Sequence, residues 1–277
     1  MTPRGLAGRA AVLIASLLAA VTQVLPQQAP PARTWILMDD HVVAIDGTDV
    51  PDAKVYRSHG VPSLLLIAPG LRQPVVIDPR SRSMRPVTGP VMPGPNDKQL
   101  EMKDSAIAED GPPFSISENG VSGEFEGRKI RLTNRPAIVG QTTVEALLAY
   151  SYIYQEGMDR YAPSEKDVSF LKSFSDPVRV EVFLGTWCPH CKELVPKFFK
   201  CMKMADNPSI ALSLTGVPDR NLSAYGPAKE KNVQGVPTFI VYAGTREIGR
   251  FSGVPGDSSI EHELVRILAA WRAVSGQ

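Results

Sequence analysis

The sequence predicts an α/β chain in two parts, a small all-β region followed by a mixed β-sheet flanked by helices. Three observations carry this. Residues 33 to about 85 break into short β-branched and aliphatic runs separated by turn signals. The stretch "PVTGPVMPGPND" then interrupts them with proline and glycine. From Thr142 the pattern turns helical, and from Val178 strand and helix patterns follow in the order βαβαββα. That order packs as a mixed sheet with helices on both sides.

The chain of 277 residues is long enough for one large domain or two small ones. It is 43% hydrophobic and 21% charged with a net charge of +1, so an ordinary core can form and nothing points to nucleic acid. Arg4 and Arg9 precede the apolar stretch "AAVLIASLLAAVTQVL", which "PQQAPPAR" ends. A basic segment and a short apolar run read as a secretory signal peptide over residues 1–28. The run is short for a spanning helix, which needs about 20 apolar residues; an uncleaved N-terminal membrane tether is the alternative. Either predicts an exported protein, in the bacterial periplasm or at an extracytoplasmic membrane face. Thiol pairs there can cycle but rarely stay reduced unaided.

In the first part, "TWILM", "HVVAI", "AKVYR", "PSLLLIA" and "PVVID" are the expected strands, with turns at Asp46-Gly47, Pro69-Gly70 and Asp78-Pro79. Residues 86–97 read as a linker, and "GVSGEFEGRKIRLTN" as a hairpin turning at Glu126-Gly127. Residues 33–138 thus form an all-β region whose role is not legible, read as a structural or docking module. In the second part, 142–277, "TTVEALLAYSYIYQEGM" reads as one helix with Val144, Leu147, Leu148, Tyr152 and Ile153 on a packed face. Ser164 with Asp167 opens a second helix as a capping box. The strand "VRVEVFLG", a helix from Pro189, the strand "IALSLTGV", the short helix "PAKEKNV" and a hairpin around Ala243-Gly244 come next. The last helix packs Ile260, Leu264, Ile267, Leu268 and Trp271, with Ser258 and Glu261 as its capping box.

The chemistry concentrates in "LGTWCPHCKELVPKF", Leu184 to Phe198. Only Cys188, Cys191 and Cys201 are cysteines, too few for a disulfide-stapled domain. Haem attachment needs C-x-x-C-H, and Lys192 follows Cys191. Structural zinc needs four ligands, and only Cys201 and His262 lie downstream. Copper delivery through Cys188, Cys191 and His190 lacks a further histidine ligand. A structural disulfide at this spacing would close a very small loop and stabilise little. A redox pair fits the context of strand, cysteine, helix. Pro189 suits the first helical position, whose N–H has no partner in any case. Cys188 therefore sits where the helix dipole favours a thiolate. Cys191, one turn later with Leu194, Val195, Phe198 and Met202, is expected to be buried and to resolve a mixed disulfide. His190 can direct a hydrogen bond or charge to the Cys188 sulfur, which would make the disulfide more oxidising. Cys201 reads as a small core residue, with a regulatory or intermolecular thiol as the alternative.

From about Val178 to the C-terminus the sequence resembles the thioredoxin superfamily. "WCPHCK" resembles its active-site motif, with Trp187 before the first cysteine and Lys192 after the second; Pro196 matches the helix-kinking proline, and "GVPTF" the loop of the cis-proline. The resemblance implies a thioredoxin fold, Cys188 as nucleophile, Cys191 as resolving thiol and Pro237 as a cis-proline. It leaves the backbone of Val236 free to pair with an extended substrate strand. The Pro189-His190 dipeptide, and a valine before the cis-proline, are similar to DsbA-type oxidants. The short interval between Cys191 and Pro237 excludes their helical insertion and is similar to TlpA-like reductases. The family's buried acid is replaced by Val182; Glu181 should point to the opposite sheet face. The expected function is an exported protein thiol–disulfide oxidoreductase, oxidising or reducing, needing no metal or organic cofactor. Its partners would be protein thiols or disulfides and a membrane or soluble redox partner. The alternative is a binding or scaffold protein built on the β region, with the second domain for docking.

Overall fold

The computed structural model describes residues 32–118, 120–253 and 258–275. The signal peptide expected at 1–28 lies outside them. Among the described residues no helix is long and apolar enough to cross a membrane.

The first part is built from β1 (Arg33–Met38), β2 (His41–Ile45), β3 (Thr48–Asp49), β4 (Lys54–Ser58), β5 (Leu64–Ile67), β6 (Val75–Asp78), β7 (Ser83–Pro86), β8 (Met92–Pro93), β9 (Gln99–Met102), β10 (Phe114–Ser117), β11 (Gly120–Phe125) and β12 (Arg128–Asn134). They form two antiparallel sheets, in the orders β7-β6-β5-β4-β1-β9-β8 and β10-β11-β12-β2-β3. Val55, Leu66 and Ile77 of the first meet Val43, Ile130 and Leu132 of the second in one core. Alternate residues of the first sheet, Tyr56, Leu65 and Val76, join Val87, Met102 and Ile107 in another. Burial on both faces explains why β5 and β6 are apolar without alternation. The β11–β12 hairpin turns at Glu126 and Gly127, both with positive φ (54° and 73°), the twist of a type I′ turn.

Residues 86–97 depart from the linker expected of them. They remain inside the first sheet: Val87 donates to Pro74, Thr88 and Gly89 to Ala106, and β8 pairs with β9. The non-proline amides between the prolines supply enough donors to hold the segment in place.

The second part comprises β13 (Gly140–Thr142), α1 (Val144–Tyr150), α2 (Tyr152–Arg160), α3 (Glu165–Ser173), β14 (Val178–Leu184), α4 (Pro189–Ala205), β15 (Ile210–Gly216), α5 (Gly226–Glu230), β16 (Thr238–Ala243), β17 (Arg246–Ser252) and α6 (Ile260–Ser275). The sheet order is β13-β15-β14-β16-β17, parallel only between β14 and β15. One face carries Val180, Val182, Phe239 and Val241 under α2, α3, α4 and α6. The other carries Phe183, Ile240 and Tyr242 under the α5 region. Phe239 ties the first face together, 4.9 Å from Phe198 and 4.6 Å from Phe251 between ring centres. The edge strand β13 was not expected; it extends the sheet from just before Thr142.

Two local expectations need correction. The helix expected across 142–158 breaks at Ser151, whose backbone is extended (φ −151°, ψ 131°) and whose hydroxyl accepts from the Ile153 amide. Asp39 causes the break by taking the Ser151 hydroxyl at 2.9 Å and the Tyr152 amide at 2.8 Å. At the start of α6, Ser259 rather than Ser258 accepts from the His262 amide. Glu261 turns inward to the Tyr161 hydroxyl (2.7 Å) and the Ser164 amide (2.8 Å). Ser164 caps α3 through the Asp167 amide as expected.

Candidate active site

The parallel pair β14 and β15 sets the site. β14, the central strand, ends at Leu184, and Gly185 and Thr186 carry the chain from its end toward α4. Gly185 is required there, because a Cβ would lie 2.6 Å from the Trp187 ring. Trp187 is fixed in turn, its Nε1–H donating to the Val217 carbonyl at 3.2 Å. The buried Thr186 hydroxyl accepts from the Ile138 amide at 3.3 Å. Cys188 is the N-cap of α4 and Pro189 its first residue. The Cys188 carbonyl opens the helix ladder by accepting from the Lys192 amide at 3.1 Å.

All three thiols are unbridged. Cys188 is 6% exposed and Cys191 fully buried. The Cys188 thiol donates to the Val236 carbonyl at 3.4 Å, and the Gly185 amide donates to Cys191 Sγ at 3.3 Å. The Val236–Pro237 peptide is cis. The structure thus brings Cys188, Cys191, Trp187, Pro189, Val236 and Pro237 together, while His190 lies exposed beside them. The Val236 carbonyl is occupied by the Cys188 thiol in this state, not free; it is released when that thiol loses its proton. A cavity of about 650 Å³ opens beside His190 and the cis-proline, lined by His190, Leu194, Val236, Pro237, Tyr161 and Ser252 among others.

The two sulfurs are driven in opposite directions. Cys188 is pulled down from 9.0 to about 6, first by the hydrogen bond from the Cys191 thiol, against the opposing effect of burial. The amides of Cys191 and His190, and the His190 charge, add to it. Those amides do not form a strict capping bond to the thiol; their attraction is to the charged form. Burial pushes Cys191 strongly upward, and its bond to Cys188 adds to that, only partly countered by the Gly185 amide. One cysteine is therefore the more acidic thiol and the other a retained thiol.

Lys192 does not reach toward the sulfurs. Its ammonium is 2.7 Å from Asp40 in the β1–β2 turn of the first part. His41 Nδ1 lies 2.8 Å from the other Asp40 oxygen, close enough for attraction but outside hydrogen-bond alignment. Burial pushes the Asp40 carboxyl up, yet the close approach of His41 and the bond and charge of Lys192 outweigh this and hold it far below the usual carboxylate range. Val182 and Glu181 face opposite sides of the sheet as expected, Val182 in the core behind Cys191 and Glu181 paired with Arg179 at 3.2 Å. Cys201 is buried in the core; burial and the neighbouring Glu261 push its thiol up, toward the protonated form.

Sequence reasoning missed Asp40, Gly185 and Tyr154. The Tyr154 side chain is fully buried in the same core as both cysteines, although the helical pattern placed its neighbours Tyr152 and Ile153 on the packed face instead.

The family described as Thioredoxin matches residues 165–266. Thioredoxin-5 of Dictyostelium discoideum is 35% identical over 77 residues, 28% of this chain and 70% of that protein. The chain belongs to the thioredoxin family. Among solved structures, Fasciola hepatica thioredoxin is 24% identical, with a TM-score of 0.27 over 37% of this chain and 88% of that one. A protein of unknown function from Pseudomonas aeruginosa is 17% identical, with a TM-score of 0.31 over 48% and 76%. The thioredoxin-fold domain follows the all-β region, and its family chemistry is thiol–disulfide exchange.

Proposed function

We propose that this protein is an exported thiol–disulfide oxidoreductase acting on protein thiols or disulfides, with Cys188 as nucleophile and Cys191 as resolving thiol. The observation that carries this is Cys188 at the N-terminus of α4, 3.4 Å from the carbonyl before the cis-proline, with Cys191 fully buried one turn later. In the reducing direction the Cys188 thiolate attacks a substrate disulfide R–S–S–R′. A Cys188–S–S–R bond forms and R′–S⁻ leaves. The Cys191 sulfur, having lost its proton, then attacks the Cys188 sulfur and expels R–S⁻, which takes up a proton. The protein ends as the Cys188–Cys191 disulfide, and two electrons have passed to the substrate. The oxidising direction is the reverse.

The cavity beside His190, Val236 and Pro237 supports an extended substrate segment next to Cys188. Trp187 holds the loop, and Lys192 ties the helix to the β region. Export is supported by the basic and apolar N-terminal pattern; fractionation of cells expressing the full chain, with N-terminal sequencing, tests it. The Pro189-His190 pair favours oxidation, and the short connection from Cys191 to Pro237 favours reduction. A reduction potential of about −120 mV would place the protein with strong oxidants and one of about −270 mV with reductases. The activity is tested by insulin reduction and by oxidation of a reduced, unfolded protein, with wild type and Cys188→Ser. Turnover in either assay that disappears with Cys188→Ser supports the reading; no turnover above free dithiol in both rejects it.

A further inference from the structure

The helices α2 and α4 run side by side in the same direction. At one end the β1–β2 turn holds both: Asp39 accepts from the Tyr152 amide and Asp40 pairs with Lys192. In the middle, Gly157 lies so close to Pro196 that a Cβ would be 2.7 Å from its ring. Farther on, Tyr161 faces Lys197, with 5.8 Å from the ring centre to the ammonium. In this register Tyr154, between Tyr152 and Gly157, is level with the turn from Cys191 to Val195. It shares their core and is fully buried. Its hydroxyl has no hydrogen-bond partner among the described residues.

A buried hydroxyl without a partner costs stability, so its retention here calls for a use. Cys191 has the complementary need. It must shed a proton in an apolar core to attack the mixed disulfide, and at that moment Cys188 is capped and can no longer share a proton with it. Among the described residues the Gly185 amide is the one backbone donor to the Cys191 sulfur. The buried carboxylates of the domain are engaged elsewhere. Glu181 pairs with Arg179, Asp167 with His262, Glu263 with Arg266, and Glu261 serves Tyr161 and Ser164.

We propose that Tyr154 is a positioning residue for the resolving step, its phenol O–H turning to donate a hydrogen bond to the Cys191 thiolate as that thiolate forms. This rests on the redox reading above. No proton is transferred to or from the phenol. Burial, together with the nearby Cys191 and Cys188 sulfurs, pushes its own ionisation upward, so it remains a donor throughout. The proton lost by Cys191 leaves with the departing substrate thiolate, and the Cys191–Cys188 bond forms as the Cys188–substrate bond breaks. The hydroxyl belongs to α2, so the helix placed by the β-region turn at Asp39 also carries the group that serves Cys191.

The test is Tyr154→Phe in the full chain, followed with 5,5′-dithiobis(2-nitrobenzoate). Cys188 releases one coloured thiolate on attack, and Cys191 releases the second on resolution, so each step is read separately. Tyr154→Phe is expected to leave the first phase unchanged, which also shows the site intact. The second phase is expected to slow about tenfold at pH 7, the size of losing one hydrogen bond to a charged group, with its pH midpoint raised by about one unit. A second phase with unchanged rate and pH midpoint overturns the role of Tyr154. Absence of the first phase in wild type overturns the redox reading itself, whatever Tyr154 does.

Discussion

Removing the Cys191 thiol should disturb the acidity of Cys188 more than removing the exposed histidine between them. Cys188 is pulled from 9.0 to about 6, with the Cys191 hydrogen bond the largest lowering influence and the His190 charge the smallest of those identified. At pH 7 a thiol at about 6 is roughly 90% thiolate, whereas one at its ordinary value is about 1%. A hydrogen bond to a charged acceptor contributes about 1.5–3 kcal/mol, and one pKa unit corresponds to about 1.4 kcal/mol. Cys191→Ala should therefore raise the Cys188 midpoint by about one to two units, and His190→Ala by about half a unit or less. The sign also reaches stability. A folded-state value below the unfolded one stabilises the fold fully above about pH 9, and the gain is lost as pH falls through 6. About 1 kcal/mol of it is present at pH 7. The assay is the rate of iodoacetamide alkylation of Cys188 against pH, in a Cys201→Ser background. A wild-type midpoint near 9, or a larger shift from His190→Ala than from Cys191→Ala, would refute the reasoning.

Asp40→Asn should cost about 2 kcal/mol by leaving the part-buried Lys192 ammonium without its partner. Because Asp40 is held below the usual carboxylate range, its contribution is present above about pH 4 and fades as pH falls; urea unfolding of the variant should lose that acid-side slope. Gly157→Ala should destabilise by about 1–3 kcal/mol through its contact with Pro196 and loosen α2 from α4, visible as a lower unfolding midpoint. Glu261→Ala should cost about 3 kcal/mol, since it strands the Tyr161 hydroxyl and the Ser164 amide, and it should make Cys201 reactive to alkylation below the unfolding transition.

The parts of the site written in contiguous residues were legible. A strand, a cysteine, a proline at the first helical position and a buried second cysteine are all local, and their chemistry follows from helix geometry. The Gly235–Phe239 stretch could be joined to them only by family resemblance, because nothing local states that Val236 faces Cys188. What escaped the sequence depends on partners far along the chain. The helix from Thr142 looks continuous until Asp39 arrives to take the Ser151 hydroxyl and the Tyr152 amide. Lys192 looks like an active-site cation until Asp40 claims it. Glu261 looks like a capping-box acid until Tyr161 and Ser164 draw it inward. In the β region the proline count misled. Prolines at 86–97 read as a separator, but the amides between them keep the segment within the sheet. His190 attracted attention by its place between the cysteines, yet its exposed ring contributes less than the buried thiol next to it.

Equilibration of the full chain with glutathione redox buffers, followed by alkylation and mass measurement of the native and unfolded protein, reaches the central claim most directly. A single two-electron transition should appear in which Cys188 and Cys191 lose their labels together as one disulfide, while Cys201 is labelled only after unfolding. A disulfide that includes Cys201, or a Cys188–Cys191 pair that stays reduced in every buffer, would contradict it.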